Sequence, residues 1–272
     1  MTAHPSDAIR AARSLLFVPG DRPDRFAKAV AAGPDLVVID LEDAVGAADK
    51  DAARENARAW LAAGETAVVR INGSRTSWYE ADLDMMCEHG TAAMVPKAED
   101  PALLERLARS GISVVPLVET ACGVSNAREL AMADGVQRLA FGSIDLAAEL
   151  GVDPTDRQAL LVARSALVLA SAAARLPGPV DGVTTALTDR RQLVDDVTHA
   201  RTLGFTAKLC VHPSQVAAVH DATAPSADEV AWAQTILTAA DPAGSATTVD
   251  GEMVDAPVLS RAQRIIDQTA RA

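Results

Sequence analysis

The sequence predicts an α/β fold: a closed (β/α)8 TIM barrel with a C-terminal helical extension. Eight short, β-branched apolar runs alternate with Ala-rich stretches of helical periodicity. Charged residues follow these runs far more often than they interrupt them, as an active-site rim at the C-terminal ends of barrel strands requires. No GxGxxG or GxxxxGK loop follows any run, which disfavours the runner-up, a doubly wound open sheet.

The predicted strands, in order, are "SLLFV", "DLVVID", "AVVRI", "AAMVP", "ISVVPLV", "QRLAFG", "PVDGVTT" and "TAKLCV". Between them, Arg22–Ala32, Asp49–Ala63, Asp100–Ser110 and Asp189–Leu203 read as helices with plausible caps. The barrel is expected over residues 1–222. The extension, 223–272, reads as a helix (Ala227–Ala240), a Gly/Ser/Thr-rich break ("DPAGSATTVDGEM") and a second helix (Pro257–Ala270). It would pack on the barrel's outside, cap its mouth or reach a neighbouring subunit.

A chain of 272 residues suits one such domain. Apolar residues make up 49 % and aromatics only 3 %, so the core must be built from Ala, Val, Leu and Ile. The formal charge of −12 argues against nucleic acid as a partner. No apolar run is long enough for a transmembrane helix, and the N-terminus lacks a secretory apolar core. Cys87, Cys122 and Cys210 are scattered, which points to a reducing cytoplasm and no zinc cluster.

The strand ends concentrate the polar chemistry. They carry Asp40, Glu42 and Asp43, Arg70 and Asn72, Lys97 and Glu99, Glu119, Ser143 and Asp145, Thr184 and Thr185, and His212. A single strand-end carboxylate is usually a helix cap or an ion-pair partner, and Asp100 and Asp153 fit that description. Lys97 suits either an anion or the neutralisation of an acidic ring. His212 has no second histidine at metal-ligand spacing, so it orients a neighbour. Converging carboxylates need a cation, and oxygen ligands without clustered His or Cys favour Mg²⁺ first and Mn²⁺ second. Glu119 and Asp145, from strands five and six, are the direct-ligand candidates. Glu42 and Asp43 would accept hydrogen bonds from the ion's waters. Arg70 offers a fixed positive fork to a substrate oxygen.

The segments "LLFVPGDRPDRFAKA", "VVIDLEDAV", "VVRING", "MVPKAE", "PLVETACGV", "FGSIDLAAELG" and "GFTAKLCVHPSQV" together resemble the CitE-like branch of the HpcH/HpaI aldolase and citrate lyase family, whose barrel is of the phosphoenolpyruvate/pyruvate type. The resemblance spans nearly the whole chain. It implies a Mg²⁺ site and carbon–carbon lyase chemistry on malyl-CoA, citramalyl-CoA or a citryl thioester. The products would be an acyl-CoA and a 2-oxo acid, glyoxylate or pyruvate. It carries the metal ligands to Glu119 and Asp145, the substrate arginine to Arg70, and CoA contacts to Phe17 and Lys28, with Arg25 nearby. "GEMVDAP" resembles a segment that places an aspartate, here Asp255, over a neighbouring subunit's mouth. That implies a homotrimer or a dimer of trimers. Ile144 in "SIDL" and Ala186 in "TTALTD" depart from residues that relatives carry. The rival functions are a malyl-CoA thioesterase, a class II pyruvate aldolase, and a citrate lyase subunit that works only with an acyl carrier protein.

Overall fold

The computed structural model describes residues 5–89, 92–239, 247–249 and 251–269. Eight strands close into a barrel in chain order: β1 (Ser14–Pro19), β2 (Leu36–Asp40), β3 (Val68–Arg70), β4 (Ala92–Val95), β5 (Ser113–Val118), β6 (Ala140–Phe141), β7 (Val180–Asp181) and β8 (Ala207–Cys210). Every neighbouring pair is parallel, β1 with β8 included. The predicted barrel is therefore the observed one. Its sixth and seventh predicted runs shorten most: β6 and β7 keep two residues each, and Val183–Thr185 leave the sheet.

The helices are α1 (Pro5–Ala11), α2 (Phe26–Ala31), α3 (Lys50–Ala62), α4 (Tyr79–His89), α5 (Pro101–Arg109), α6 (Ala121–Ser125), α7 (Ala127–Met132), α8 (Ser143–Leu150), α9 (Leu161–Ala173), α10 (Arg190–Leu203) and α11 (Ser214–Thr223). Asp100 caps α5, accepting from the Ala102 N–H at 2.9 Å. Asp153 does not cap a helix. It accepts from the N–H and hydroxyl of Thr155 at 2.8 and 2.7 Å and so closes a turn, while α9 starts only at Leu161. None of the described helices is long and apolar enough to cross a membrane.

Strand side chains alternate between faces, so one parity fills the barrel. Leu15, Val38, Val68, Ala92, Met94, Val115, Leu117, Ala140, Val180, Ala207 and Leu209 form that interior cluster. Continuing each strand at the same parity reaches Phe17, Asp40, Arg70 and Glu119. The polar residues at the mouth are thus the inward positions of the same strands that supply the core.

Ile9 and Ala12 plug the opposite end of the barrel. Beside them the Arg138 guanidinium is buried, with no carboxylate at hydrogen-bond distance among the described residues. It donates to the carbonyls of Gly178, Ile9 and Ala12 and to the Thr206 hydroxyl. Burial pulls its pKa down to about 9.

A buried triad ties β7 to β8. Asp181 pairs with Lys208 at 2.8 Å and with Arg164 from α9. The Lys208 ammonium also donates to the Gly182 carbonyl. The Arg164 guanidinium lies 5.0 Å from the Phe141 ring centroid. Burial alone would raise the Asp181 pKa, but the two cations outweigh it and hold the group ionised.

Residues 220–272 form a second compact unit. The capping box of Ser226 and Glu229 starts α12 (Ala227–Thr238). Two strands, β9 (Thr247–Val249) and β10 (Glu252–Val254), pair antiparallel before α13 (Ala256–Thr269). Ala233, Ile236, Val254, Ala262 and Ile265 make its core, and Arg261 stacks over Trp232 at 4.6 Å. Part of the predicted break is therefore a hairpin. Residues 1–4, 241–246 and 250, and the predicted helix ends Ala240 and Ala270, lie outside the described residues.

Removing the carboxylate of the triad would strand two buried cations. Asp181→Ala is expected to lower unfolding stability by about 3–5 kcal/mol in urea titration. A loss below about 1 kcal/mol would show that the triad does not hold β7 to β8.

Candidate active site

The mouth of the barrel is built on a cross-strand pair. Asp40 and Arg70 are register partners on β2 and β3. The Arg70 Nε and Nη2 donate to Asp40 Oδ1 and Oδ2 at 2.7 and 2.6 Å. The same two oxygens accept from the N–H groups of Glu42 and Ala44 at 2.9 and 3.1 Å. Lys50, from α3, donates to the carbonyls of Leu41 and Glu42 and fixes the rest of this turn. Burial works against the Arg70 charge, but Asp40, Glu42 and Asp43 outweigh it and raise its pKa. The fork expected for substrate is thus half occupied by Asp40. Nη1 is the remaining edge, and the guanidinium stacks 4.9 Å from the Phe17 ring centroid.

Glu42 and Lys97 form the next layer. Glu42 Oε1 accepts from the Lys97 ammonium at 2.7 Å. Its Oε2 lies 3.2 Å from Arg70 Nη1 but outside hydrogen-bonding geometry. Burial raises the Glu42 pKa against the pull of Arg70 and Lys97. Asp43 is half exposed and 3.7 Å from Arg70 Nη1. The acidic ring read from the sequence is therefore not bare: Arg70 and Lys97 serve Asp40, Glu42 and Asp43.

Glu119 follows β5 and is only 1 % exposed. Its Oε1 accepts from the Lys97 backbone N–H at 2.8 Å, and the ammonium lies 3.9 Å away. Gly142 makes room for it: a Cβ there would sit 2.3 Å from Glu119 Cβ and 2.5 Å from Oε2. Asp145 lies in the first turn of α8, not on β6 as the sequence reading had it. Glu119, Asp145, Arg70, Asp40 and Asp43 line one cavity of about 390 Å³. Its other wall is apolar, with Phe17, Leu117, Phe141, Val183, Leu209 and Val211.

This donor set fits a hard divalent ion. Among the described residues no group of three or more His, Cys, Asp or Glu side chains gathers as a metal cage. Mg²⁺ commonly takes one or two protein carboxylates and keeps water or substrate oxygens elsewhere. Glu119 and Asp145 offer two carboxylates to the same cavity, and the missing Cβ at Gly142 leaves Glu119 its place.

Several other predicted residues of the barrel unit do not line this cavity. Arg25 and Lys28 are exposed, around the short helix α2. Six residues give that helix little dipole, so any pull on phosphate rests on the side chains. Asn72 donates to the Asp82 carboxylate, which also pairs with Arg54, and the three brace α3 against α4. The His212 ring contacts the Ser214 hydroxyl at 2.7 Å, an orienting role at the start of α11. Thr184 donates to Asp196. Asp255 belongs to the second unit, where its Oδ1 accepts from the Val258 N–H at 3.3 Å. The sequence reading gave no role to Lys50, the Lys97 N–H or Gly142. Strand parity could have singled out Asp40, which it named without a role.

Burial pushes the Glu119 pKa up to about 8, with Glu42 and Asp145 adding to it and Lys97 opposing. The metal-free folded protein then holds a proton that the unfolded chain releases near its ordinary value. Stability is full below that value and falls as pH rises through the folded pKa. Melting temperature in EDTA is expected to decline from about pH 5 to about pH 8, and Glu119→Gln to flatten the slope. A rising slope in the wild type would show that Glu119 is ionised.

Comparison with known proteins agrees with this geometry. Residues 13–213 match the family model described as HpcH/HpaI aldolase/citrate lyase, and residues 163–271 match one described as C-C bond lyase of the TIM-barrel fold. A citrate lyase subunit beta-like protein of Mycobacterium tuberculosis is 38 % identical over 265 residues, 94 % of this chain and 95 % of the relative. A (3S)-malyl-CoA thioesterase of Cereibacter sphaeroides is 32 % identical over 257 residues, 89 % of each chain. The crystal structure of CitE from Mycobacterium tuberculosis, in complex with magnesium, acetoacetate and coenzyme A, has a TM-score of 0.85 at 36 % identity, covering 96 % of this chain and 99 % of that one. A family model that spans most of the barrel, and relatives that match along nearly the whole length, place this chain in the HpcH/HpaI aldolase/citrate lyase family.

Proposed function

We propose that this protein is a Mg²⁺-dependent carbon–carbon lyase. It would cleave a 3-hydroxyacyl-CoA that carries a second carboxylate, of the malyl, citramalyl or citryl type. The observation that carries this reading is one cavity in which Glu119 and Asp145 face a locked arginine, Arg70. The magnesium, acetoacetate and coenzyme A held by the similar CitE structure support it.

Glu119 and Asp145 would hold the ion. When bound there, Mg²⁺ would supply Lewis acidity to oxygens of the substrate. Transfer of the hydroxyl proton to solvent water would let the alkoxide collapse to a carbonyl. The C2–C3 bond breaks, and its electron pair moves onto the thioester as an enolate. The products are a 2-oxo acid and, after protonation at carbon, an acyl-CoA.

The chain's own residues supply orientation and charge. Asp40 holds Arg70 by two hydrogen bonds, so Nη1 needs little reorganisation to meet the oxygen on which charge develops. Phe17 supports the guanidinium from its face. Glu42 and Asp43 lie next to the same Nη1 and would accept hydrogen bonds from the ion's waters. Arg25 and Lys28, exposed after β1, would meet the phosphates of CoA. Asp255 would protonate the enolate carbon from a neighbouring subunit of a trimer.

A thioesterase reading has its own support in the (3S)-malyl-CoA thioesterase relative. In that version Asp255 would activate water against the thioester carbonyl.

Purified protein with Mg²⁺ and malyl-CoA or either citramalyl-CoA enantiomer is expected to yield an acyl-CoA and a 2-oxo acid by mass spectrometry. Free CoA with the intact hydroxy acid would instead establish the hydrolase. Asp255→Ala is expected to slow turnover by about 10²–10⁴-fold while Mg²⁺ affinity by calorimetry stays unchanged. Wild-type turnover in that variant would remove Asp255 from the mechanism.

A further inference from the structure

Lys97 differs from the other residues at the mouth in its backbone. Its φ is +47°, in the left-handed region that an unbranched L-residue occupies only under constraint. The constraint is visible. The next residue, Ala98, donates its N–H to the Leu117 carbonyl at 3.1 Å. The Ala98 carbonyl packs so close to Gly123 that a Cβ there would lie 2.5 Å from it. This turn sends the Lys97 N–H to Glu119 Oε1 and its ammonium to Glu42 Oε1, with the ammonium still 3.9 Å from Glu119. One strained residue brings two donors to two acidic side chains.

The ammonium is not buried with its partners. The Lys97 side chain is 46 % exposed, against 10 % for Glu42 and 1 % for Glu119. Beyond the Glu42–Lys97 pair lies a second cavity of about 390 Å³, lined by both residues and by Arg75, Glu99 and Thr120. Glu99 accepts from the Thr120 hydroxyl at 2.9 Å and lies 3.6 Å from the exposed Arg75. Lys97 therefore has room to withdraw and another carboxylate within that space.

We infer that Lys97 is the site's internal counter-ion: its ammonium neutralises Glu42 beside Glu119 in the cation-free protein and withdraws towards the Glu99 cavity when a divalent cation binds. The inference rests on the reading of Glu119 as a cation ligand. Like charges at this range repel, and the ammonium also competes for the same carboxylates. Both effects weaken cation binding. Removing the ammonium should therefore tighten it, the opposite of what loss of a mere structural prop would do.

The test is calorimetric titration of the full chain with Mg²⁺ alone, without substrate, beside melting in EDTA. Lys97→Met keeps the backbone donor and the apolar stem. Lys97→Gly also relieves the left-handed φ, and it decides the matter if the methionine variant does not fold. Both are expected to bind Mg²⁺ about tenfold or more tighter than wild type, and Lys97→Met to melt lower in EDTA. Glu119→Gln, titrated in parallel, is expected to lose binding. Unchanged or weaker binding in the lysine variants, with binding lost in Glu119→Gln, overturns the counter-ion role alone. Wild-type binding in Glu119→Gln overturns the ligand reading and this inference with it.

Discussion

Asp40 and Arg70 meet across β2 and β3 with two nitrogens on two oxygens, at 2.7 and 2.6 Å, and the rest of the mouth is arranged around that fork. A bidentate, largely buried pair is among the stronger polar contacts in a protein, yet it carries a large desolvation cost. Here the cost is offset because Asp40 also accepts two backbone N–H groups, and Phe17 covers the guanidinium. The pair sets where the fixed positive charge lies. Glu42 can then turn one oxygen to Lys97 and the other towards Arg70. Glu119 is left with a backbone donor and the far side of the same ammonium.

Much of this was legible before any coordinates. The alternation of apolar runs and helical stretches specifies the barrel because parallel strands need crossover helices. The same alternation, at single-residue scale, places Phe17, Asp40, Arg70 and Glu119 on the inner face. What escaped the sequence has physical causes. Asp145 reads as part of the end of strand six because it follows the run "QRLAFG" directly, although the strand stops at Phe141 and a helix begins at Ser143. The helix α9 has no side-chain cap at its start to announce it. The β9–β10 hairpin was hidden in a stretch whose Gly and Ser content reads as a break. Lys97's role depends on a left-handed turn, and no composition rule assigns that to a lysine.

The charge distribution reconciles two facts about the chain. It carries a net −12, and its proposed substrate is a polyanion. The local field at the mouth is set by Arg70 and Lys97 rather than by that total. Burial raises the pKa of Glu42 and pushes that of Glu119 up to about 8, so the nominal negative charge of Glu119 is masked by a proton. The apolar wall opposite the acids lowers the local dielectric, which strengthens each charge that faces the cavity.

Arg138 gives the far end of the barrel a different character. Its guanidinium is held by four neutral acceptors, and two of them, the carbonyls of Ile9 and Ala12, belong to the first dozen residues. A chain trimmed to begin at Arg13 would uncork the floor and leave a charged group half-satisfied in an apolar well. The opening helix is thus a stopper whose loss would loosen the staves from below. Loops around the rim could be exchanged without disturbing that seal.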